Sequence, residues 1–152
     1  MPHEVIIDTN LLVLYVVGVT DTKYIRPHKC LSDFIVEDFD VLSGILASAP
    51  RVVVAVNVLT EASNLLAFIK EPARTEIMET FGQLIAGLPE QYVPSRQAAD
   101  RREFPRLGLA DAALLDLSAS GGVLLTTDVL LYDAALRSGG LAELFIQHRT
   151  FN

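Results

Sequence analysis

Three short apolar runs constrain the fold of this chain more than any other feature of its sequence. The first run, Val5-Ile6-Ile7, stops at Asp8. A second run spans 51–56, and the third spans 123–127 and stops at Asp128. Runs rich in β-branched and aliphatic residues are typical of strands that are buried on both faces, as in a parallel sheet. A parallel sheet also needs crossover helices, which cover both of its faces.

The segments between these runs have the apolar spacing of helices. Pro72 lies in the first turn of one predicted helix, and Gly87 follows its end. Two more short strands are predicted at 92–93 and 144–146, and residues 18–32 are predicted to be irregular. The predicted helices cover about 11–17, 33–49, 58–69, 72–86, 109–119 and 130–138, with a polar, interrupted helix after Ser95.

Strands that alternate with helices predict a three-layer α/β/α sandwich with a mostly parallel central sheet. The chain has 152 residues, the length of one domain, so residues 1–152 are expected to form a single domain. Hydrophobic residues make up 51% of the chain and charged residues 20%, a balance that excludes intrinsic disorder.

Charge and cysteine content limit the partners of the chain. A net charge of −7 argues against binding nucleic acid through bulk positive charge, so a phosphate substrate needs a local basic strip or bound cations. The single cysteine, Cys30, excludes an intramolecular disulfide and a thiolate zinc site. The N-terminus lacks the pattern of a signal peptide, and the longest uncharged stretch, 9–20, is too short for a membrane span. We expect a cytoplasmic protein with no membrane partner.

Four carboxylates follow the predicted strands at the positions where open parallel sheets bind ligands. Asp8 and Asp128 end strands, while Glu61 and Asp111 lie near the starts of helices. Clustered carboxylates repel one another unless they are protonated or neutralised by cations. A ligand set of oxygens alone selects Mg²⁺ or Mn²⁺, and two such ions can clamp a phosphodiester. The sequence therefore predicts a divalent-cation site for one or two ions.

Each acid also has a simpler interpretation. Asp8, Asp111 and Asp128 are placed where an N-cap residue stabilises a helix, and Glu61 suits a solvated helix face. We favour the cluster because capping does not explain why acids follow three different strands.

Basic residues are concentrated ahead of Asp111. They are interpreted as contacts to RNA phosphates near the metals, with a solvated charged segment as the alternative. A second basic patch, 23–29, has the same two interpretations. The residues of the first group are Arg96, Arg101, Arg102 and Arg106.

The motifs around the acids resemble the PIN domain over residues 4 to about 147. They are Val5-Ile6-Ile7-Asp8-Thr9-Asn10, Thr60-Glu61, Leu109-Ala110-Asp111-Ala112 and Thr126-Thr127-Asp128. The resemblance implies a metal-dependent endoribonuclease, and among small members it is similar to toxins of VapC type, which an antitoxin holds inactive.

Site residues follow from this resemblance by position. It implies that Asn10 and Thr126 brace the carboxylates by hydrogen bonds. Many members carry a further acid two or three residues past the fourth, where this chain has Leu130 and Leu131, so Asp133 is the candidate for that ligand. The implied catalytic and metal-binding quartet is Asp8, Glu61, Asp111 and Asp128.

The leading interpretation is therefore a Mg²⁺- or Mn²⁺-dependent endoribonuclease, the toxin of a toxin–antitoxin pair, with RNA as its substrate. We expect a homodimer and a protein inhibitor that inserts a cation among the acids and packs a helix near 11–17. A non-catalytic PIN-like binding module is the alternative. A receiver-type phospho-acceptor domain is disfavoured because the last lysine is Lys70 and no late strand supplies one. The RNA that is cleaved and the identity of the inhibitor stay open.

Overall fold

The computed structural model describes residues 3–149. Within this range, all strands belong to one sheet and every pairing is parallel. The strands are β1 (Val5–Ile7), β2 (Val52–Ala55), β3 (Glu90–Gln91), β4 (Val123–Thr126) and β5 (Leu141–Leu144). Their order across the sheet is β3-β2-β1-β4-β5.

Helices connect each strand to the next. They are α1 (Thr9–Thr20), α2 (Val36–Ser48), α3 (Val56–Leu66), α4 (Ala73–Gly87), α5 (Ser95–Ala99), α6 (Phe104–Leu107), α7 (Leu109–Ala119) and α8 (Val129–Arg137). Short 3-10 turns cover Thr22–Tyr24, Lys29–Leu31 and Phe145–His148.

The strand order explains the three layers. From β1 the chain moves outward to β2 and β3, then returns to the other side of β1 to form β4 and β5. Because crossovers between parallel strands are right-handed, reversing the direction of travel moves the helices to the opposite face. Accordingly, α1 packs against α2, α3 and α4, whereas α7 packs against α5, α6 and α8. The predicted three-layer α/β/α fold is confirmed.

The central strand and the helix after it form the middle of the hydrophobic core. All residues of β1 are at most 1% exposed. In α1, Leu11, Leu14 and Val17 are fully buried as well. The face at 11–17, expected to receive an inhibitor helix, therefore packs inside the protein and cannot serve as a surface groove.

Two predicted edge strands are displaced. Residues 92–93 were expected to form a strand, but β3 lies just before them and is held by pairing of Glu90 with Val54. Residues 144–146 were also expected to be a strand, yet β5 ends at Leu144. Phe145 begins a 3-10 turn and is buried against the Phe34 ring, 6.3 Å between centroids. Its hydrophobicity therefore marks core packing rather than a strand.

The irregular segment predicted at 18–32 begins later than expected, because α1 continues to Thr20. His28 anchors the segment: its Nδ1 accepts from the Cys30 N–H at 3.2 Å, and its Nε2 is 3.2 Å from the Leu66 carbonyl. A neutral ring satisfies both contacts, and burial lowers the pKa of His28. No helix in 3–149 is long and apolar enough to cross a membrane.

Candidate active site at the carboxyl end of the sheet

The sheet has one point where the direction of strand addition reverses, between β1 and β4. In open α/β sheets, ligands bind in the crevice at the carboxyl ends of the strands beside such a point. A cavity of about 440 Å³ lies here. The lining of this acid cavity comes from residues that follow the two flanking strands and from helices α1, α3, α6 and α7, and it includes Asp8, Glu61, Asp111 and Asp128.

Asp8 follows β1 and is the N-cap of α1. Its Oδ1 accepts from the Thr9 N–H at 2.6 Å, and its Oδ2 accepts from the Thr126 hydroxyl at 2.5 Å. Burial is the main reason that the pKa of Asp8 is raised. The two hydrogen bonds lower the pKa, while Asp128 and Glu61 raise it further by repulsion.

Asp128 occupies the equivalent position after β4. Its Oδ1 accepts from the Leu130 and Leu131 N–H groups at 2.9 and 3.2 Å, so it caps α8. Its own N–H donates to Thr126 Oγ1 at 3.0 Å. Thr126 therefore connects the Asp8 carboxylate to the Asp128 backbone, and of the acidic side chains it bonds Asp8.

Glu61 is brought to the cavity by α3, which begins directly after β2. Thr9 Oγ1 donates to Glu61 Oε2 at 3.1 Å. Thr9 is a residue of the site that the sequence pattern did not predict. Its position between Asp8 and Asn10, at the first residue of α1, was the available signal.

Asp111 lies in the first turn of α7 without capping it. Gly108 is the N-cap, with φ of 88°, and no side chain caps this helix. That left-handed backbone, which favours glycine, separates α6 from α7. Burial, followed by repulsion from Asp8, Asp128 and Glu61, raises the pKa of Asp111 to about 7. The capping interpretation is wrong for Asp111, while Asp8 and Asp128 both cap helices and share the cavity.

The chemistry of the donor set fits a hard divalent cation. Carboxylate oxygens line the acid cavity together with the side chains of Thr9, Asn10 and Asn64, and none of the described lining residues is Lys, Arg or His. The positions of the described side chains, however, do not form a ready-made metal site. In the part of the chain that is described, no three or more His, Cys, Asp or Glu side chains are arranged to hold a metal ion.

Two predicted residues are placed differently from the quartet. Asn10 is exposed and lines the acid cavity, but no hydrogen bond from Asn10 to a carboxylate is found within 3–149. Asp133 is exposed on α8 and pairs with Arg137 at 2.9 Å. It is not among the described residues that line the acid cavity.

The predicted RNA-binding arginines separate into two kinds. Arg101 is only 19% exposed and pairs with Asp116 at 2.7 Å and Glu103 at 3.5 Å. Its charge therefore ties the segment between α5 and α6 to α7 and is not available to a phosphate. The remaining three, Arg96, Arg102 and Arg106, are exposed.

Comparisons with known proteins give no family. No protein-family model matches the chain, and no curated protein matches it. One solved structure is similar over 93% of this chain and 90% of its own, with 18% identity and a TM-score of 0.47. It is described as a domain of a functionally unknown protein from Methanocaldococcus jannaschii DSM 2661. This similarity carries no argument about function.

Proposed function

We propose that this chain is a Mg²⁺- or Mn²⁺-dependent endoribonuclease. The observation that carries the proposal is that Asp8, Glu61, Asp111 and Asp128, from four separate segments of the chain, line one cavity at the β1–β4 switch point. Burial, and after it repulsion within the cluster, raises the pKa values of Asp8 and Asp111, which supports the proposal because perturbed carboxyl groups in a cleft are typical of functional sites.

The chain supplies the ligands and holds them in place. Thr126 orients Asp8, and Thr9 orients Glu61. A bound divalent cation would polarise a phosphate oxygen and lower the pKa of a water molecule. Hydrolysis adds that water across a P–O3′ bond, so the products carry a 5′-phosphate and a 3′-hydroxyl. The exposed Arg96, Arg102 and Arg106 are candidates for contacts to RNA phosphates.

Cleavage of end-labelled single-stranded RNA with Mn²⁺ or Mg²⁺ tests the proposal. We expect Asp8→Asn, Asp111→Asn and Asp128→Asn each to abolish cleavage, because each swap keeps the shape of the side chain and removes a ligand charge. Asp133→Asn is the matched control and should cleave at nearly the wild-type rate. Cleavage by purified Asp8→Asn at the wild-type rate would refute the assignment.

A non-catalytic PIN-like binding module is the second candidate. The observation that favours it is the lack, in residues 3–149, of acids already arranged around a metal ion. RNA binding by the wild type without cleavage in either cation would select it. A receiver domain is disfavoured because receivers have strand order 2-1-3-4-5, whereas β1 here lies between β2 and β4.

We further propose that the nuclease is a toxin, forms a homodimer and is inhibited by a protein partner whose Arg or Lys enters the acid cavity. The uncompensated carboxylates favour such a cation. Since 11–17 is buried, exposed apolar residues beside Asp128, namely Val129 and Leu130, are better candidates for the contact with the inhibitor.

Growth of the expression host tests the toxin assignment. Expression of the wild type should arrest growth and expression of Asp8→Asn should not, and equal growth at equal soluble yield would refute the toxin assignment. Sedimentation velocity tests the dimer.

A further inference from the structure

A second cavity adjoins the acid cavity at the same end of the sheet. Its volume is about 290 Å³, near the lower end of the range for small-molecule pockets, about 300–1,000 Å³. Asn10 lines both cavities. Thr127 and Val129, on either side of Asp128 in sequence, line the second. The two cavities therefore meet at Asn10 and around Asp128.

The walls of the second cavity combine flat apolar surface with polar groups. Phe34 and Phe145 both belong to the lining, but Phe145 is fully buried, so the surface open to a ligand is that of Phe34 and of the Arg149 guanidinium, which lies 5.9 Å from each ring centroid. Asn10 and Thr127 add an amide and a hydroxyl group. Proteins that read single-stranded RNA place unstacked bases against aromatic rings or guanidinium planes and contact their edges with polar groups.

The charge of the second cavity suits a base better than a phosphate. Arg149 Nε donates to Asp38 Oδ1 at 2.9 Å and Nη2 donates to Asp38 Oδ2 at 3.3 Å. Asp38 is 4% exposed, so this pair is held against the protein and the guanidinium charge is already neutralised. The other described lining residues include no Lys or Arg, and Asp33 adds a carboxylate that would repel a phosphate. A neutral planar heterocycle meets these conditions.

We propose that this second cavity, the base cavity, holds one unstacked nucleobase of a single-stranded RNA whose adjacent phosphate lies in the acid cavity. The proposal rests on the proposed nuclease function and adds a source of sequence preference to it. Because Asn10 lines both cavities, the base and the phosphate it contacts would belong to neighbouring positions of one strand.

Two matched substitutions test the base cavity. Ile146 lines it and is 52% exposed, so Ile146→Trp should fill it without disturbing the core. Leu136→Trp adds the same ring at a site of similar exposure, 44%, two turns further along α8 than Val129. Both are made in the Asp8→Asn chain so that RNA stays intact. If Ile146→Trp does not fold, Val129→Trp at the same cavity replaces it.

Fluorescence anisotropy with A, C, G and U hexaribonucleotides measures the base preference. We expect the tightest and weakest affinities to differ by about five-fold or more, the effect of about one hydrogen bond to a base edge. Ile146→Trp should reduce this range to less than about two-fold, whereas Leu136→Trp should preserve it.

Three results would overturn the base cavity: no binding of any hexaribonucleotide, no preference in the Asp8→Asn chain, or the same preference after Ile146→Trp. A changed sedimentation coefficient for Ile146→Trp would also overturn it, since a second protein copy would then cover the cavity. Cleavage of the same RNAs by the wild type with Mn²⁺ is measured separately. Base preference without cleavage would refute the nuclease and leave the base cavity standing.

Discussion

Asp111 is protonated more readily in the folded chain than in the unfolded one. Burial and three neighbouring carboxylates raise its pKa from 3.8 to about 7. Between these values the unfolded state has released a proton that the folded state keeps, so the free energy of unfolding falls as the pH rises from about 3.8 to about 7. We therefore expect Asp111→Asn to melt at a higher temperature than the wild type at about pH 8 in EDTA, and the gain to shrink near pH 4.

Asp133→Asn is the control for this measurement. Asp133 is exposed and pairs only with Arg137, four residues along the same helix. Its replacement should change the melting temperature little at either pH. A lower melting temperature for Asp111→Asn at about pH 8 would contradict repulsion as the dominant effect at this residue.

Thr126 hydrogen-bonds the Asp8 carboxylate and the Asp128 N–H. Thr126→Val keeps its shape but leaves the buried Asp8 Oδ2 without its donor. An unmade hydrogen bond to a buried group costs about 1–3 kcal/mol, so urea unfolding should show a loss in this range. Thr60→Val is the control, because its exposed hydroxyl bonds only the Val56 carbonyl of the same helix. Equal losses for both variants would contradict a special position for Thr126.

The position of the acids could be predicted because it depends on local rules. A residue that ends a buried strand, or begins the next helix, lies at the carboxyl edge of a parallel sheet. The contact from Thr9 to Glu61 spans 52 residues and depends on how α1 and α3 pack, which no local pattern encodes. The same limit applies to Arg101 and Arg102. They are adjacent in sequence, but Arg101 is partly buried and Arg102 is exposed.

Arg101, which lies between α5 and α6, ties this segment to α7. Asp116, at 13% exposure, accepts from Arg101 and from Gln97. Arg101→Met removes the ion-pair partner of the largely buried Asp116 carboxylate. We therefore expect the free energy of unfolding, measured in urea, to fall by about 1–3 kcal/mol. Arg102→Met, on the exposed side of the same segment, should cost less than about 0.5 kcal/mol. A similar loss for both would contradict the structural assignment of Arg101.

Arg102 should instead affect RNA. If it contacts a phosphate, Arg102→Met reduces the slope of log affinity against log salt concentration by about 0.7, the value for one phosphate contact on a single strand. Titrations at several salt concentrations measure this slope. An unchanged slope would remove Arg102 from the RNA surface.

Helices and central strands were predictable, whereas edge strands were not. Unbroken apolar runs such as Val5–Ile7 indicate buried strands. The edge strand β5, Leu-Ala-Glu-Leu, is partly exposed and contains no β-branched residue. It is a strand because its residues pair in register with β4, Val123 opposite Leu141. Pairing of this kind is a property of the assembled sheet and leaves no clear pattern in the edge segment itself.

The acid cavity should make the stability of the whole molecule depend on divalent cations. The chain carries a net charge of −7, and four of its 19 Asp and Glu residues line one cavity. A cation that binds only the folded state at a hundred times its Kd adds about 2.7 kcal/mol, which for a domain of this length corresponds to roughly 5–10 °C in Tm. We expect a rise of this order in thermal melts with Mn²⁺.

Substitutions at the cavity and away from it check the origin of this effect. Asp8→Asn should lose most of the rise, and Asp133→Asn should keep it. No rise in the wild type at millimolar Mn²⁺ would count against a cation site. An equal rise in Asp8→Asn would place the cation elsewhere.

The pairing of β1 with β4 also has a consequence during translation. Thr126 reaches Asp8 across 118 residues of sequence. At about 5–20 residues per second, a ribosome needs roughly 6–24 s to synthesise that interval. Throughout it, the emerging chain contains Asp8 but neither Asp128 nor the strand that completes the crevice. A nascent chain stalled before β4 therefore lacks the assembled carboxylate cluster, and whatever chemistry the cluster performs begins only after β4 has left the exit tunnel.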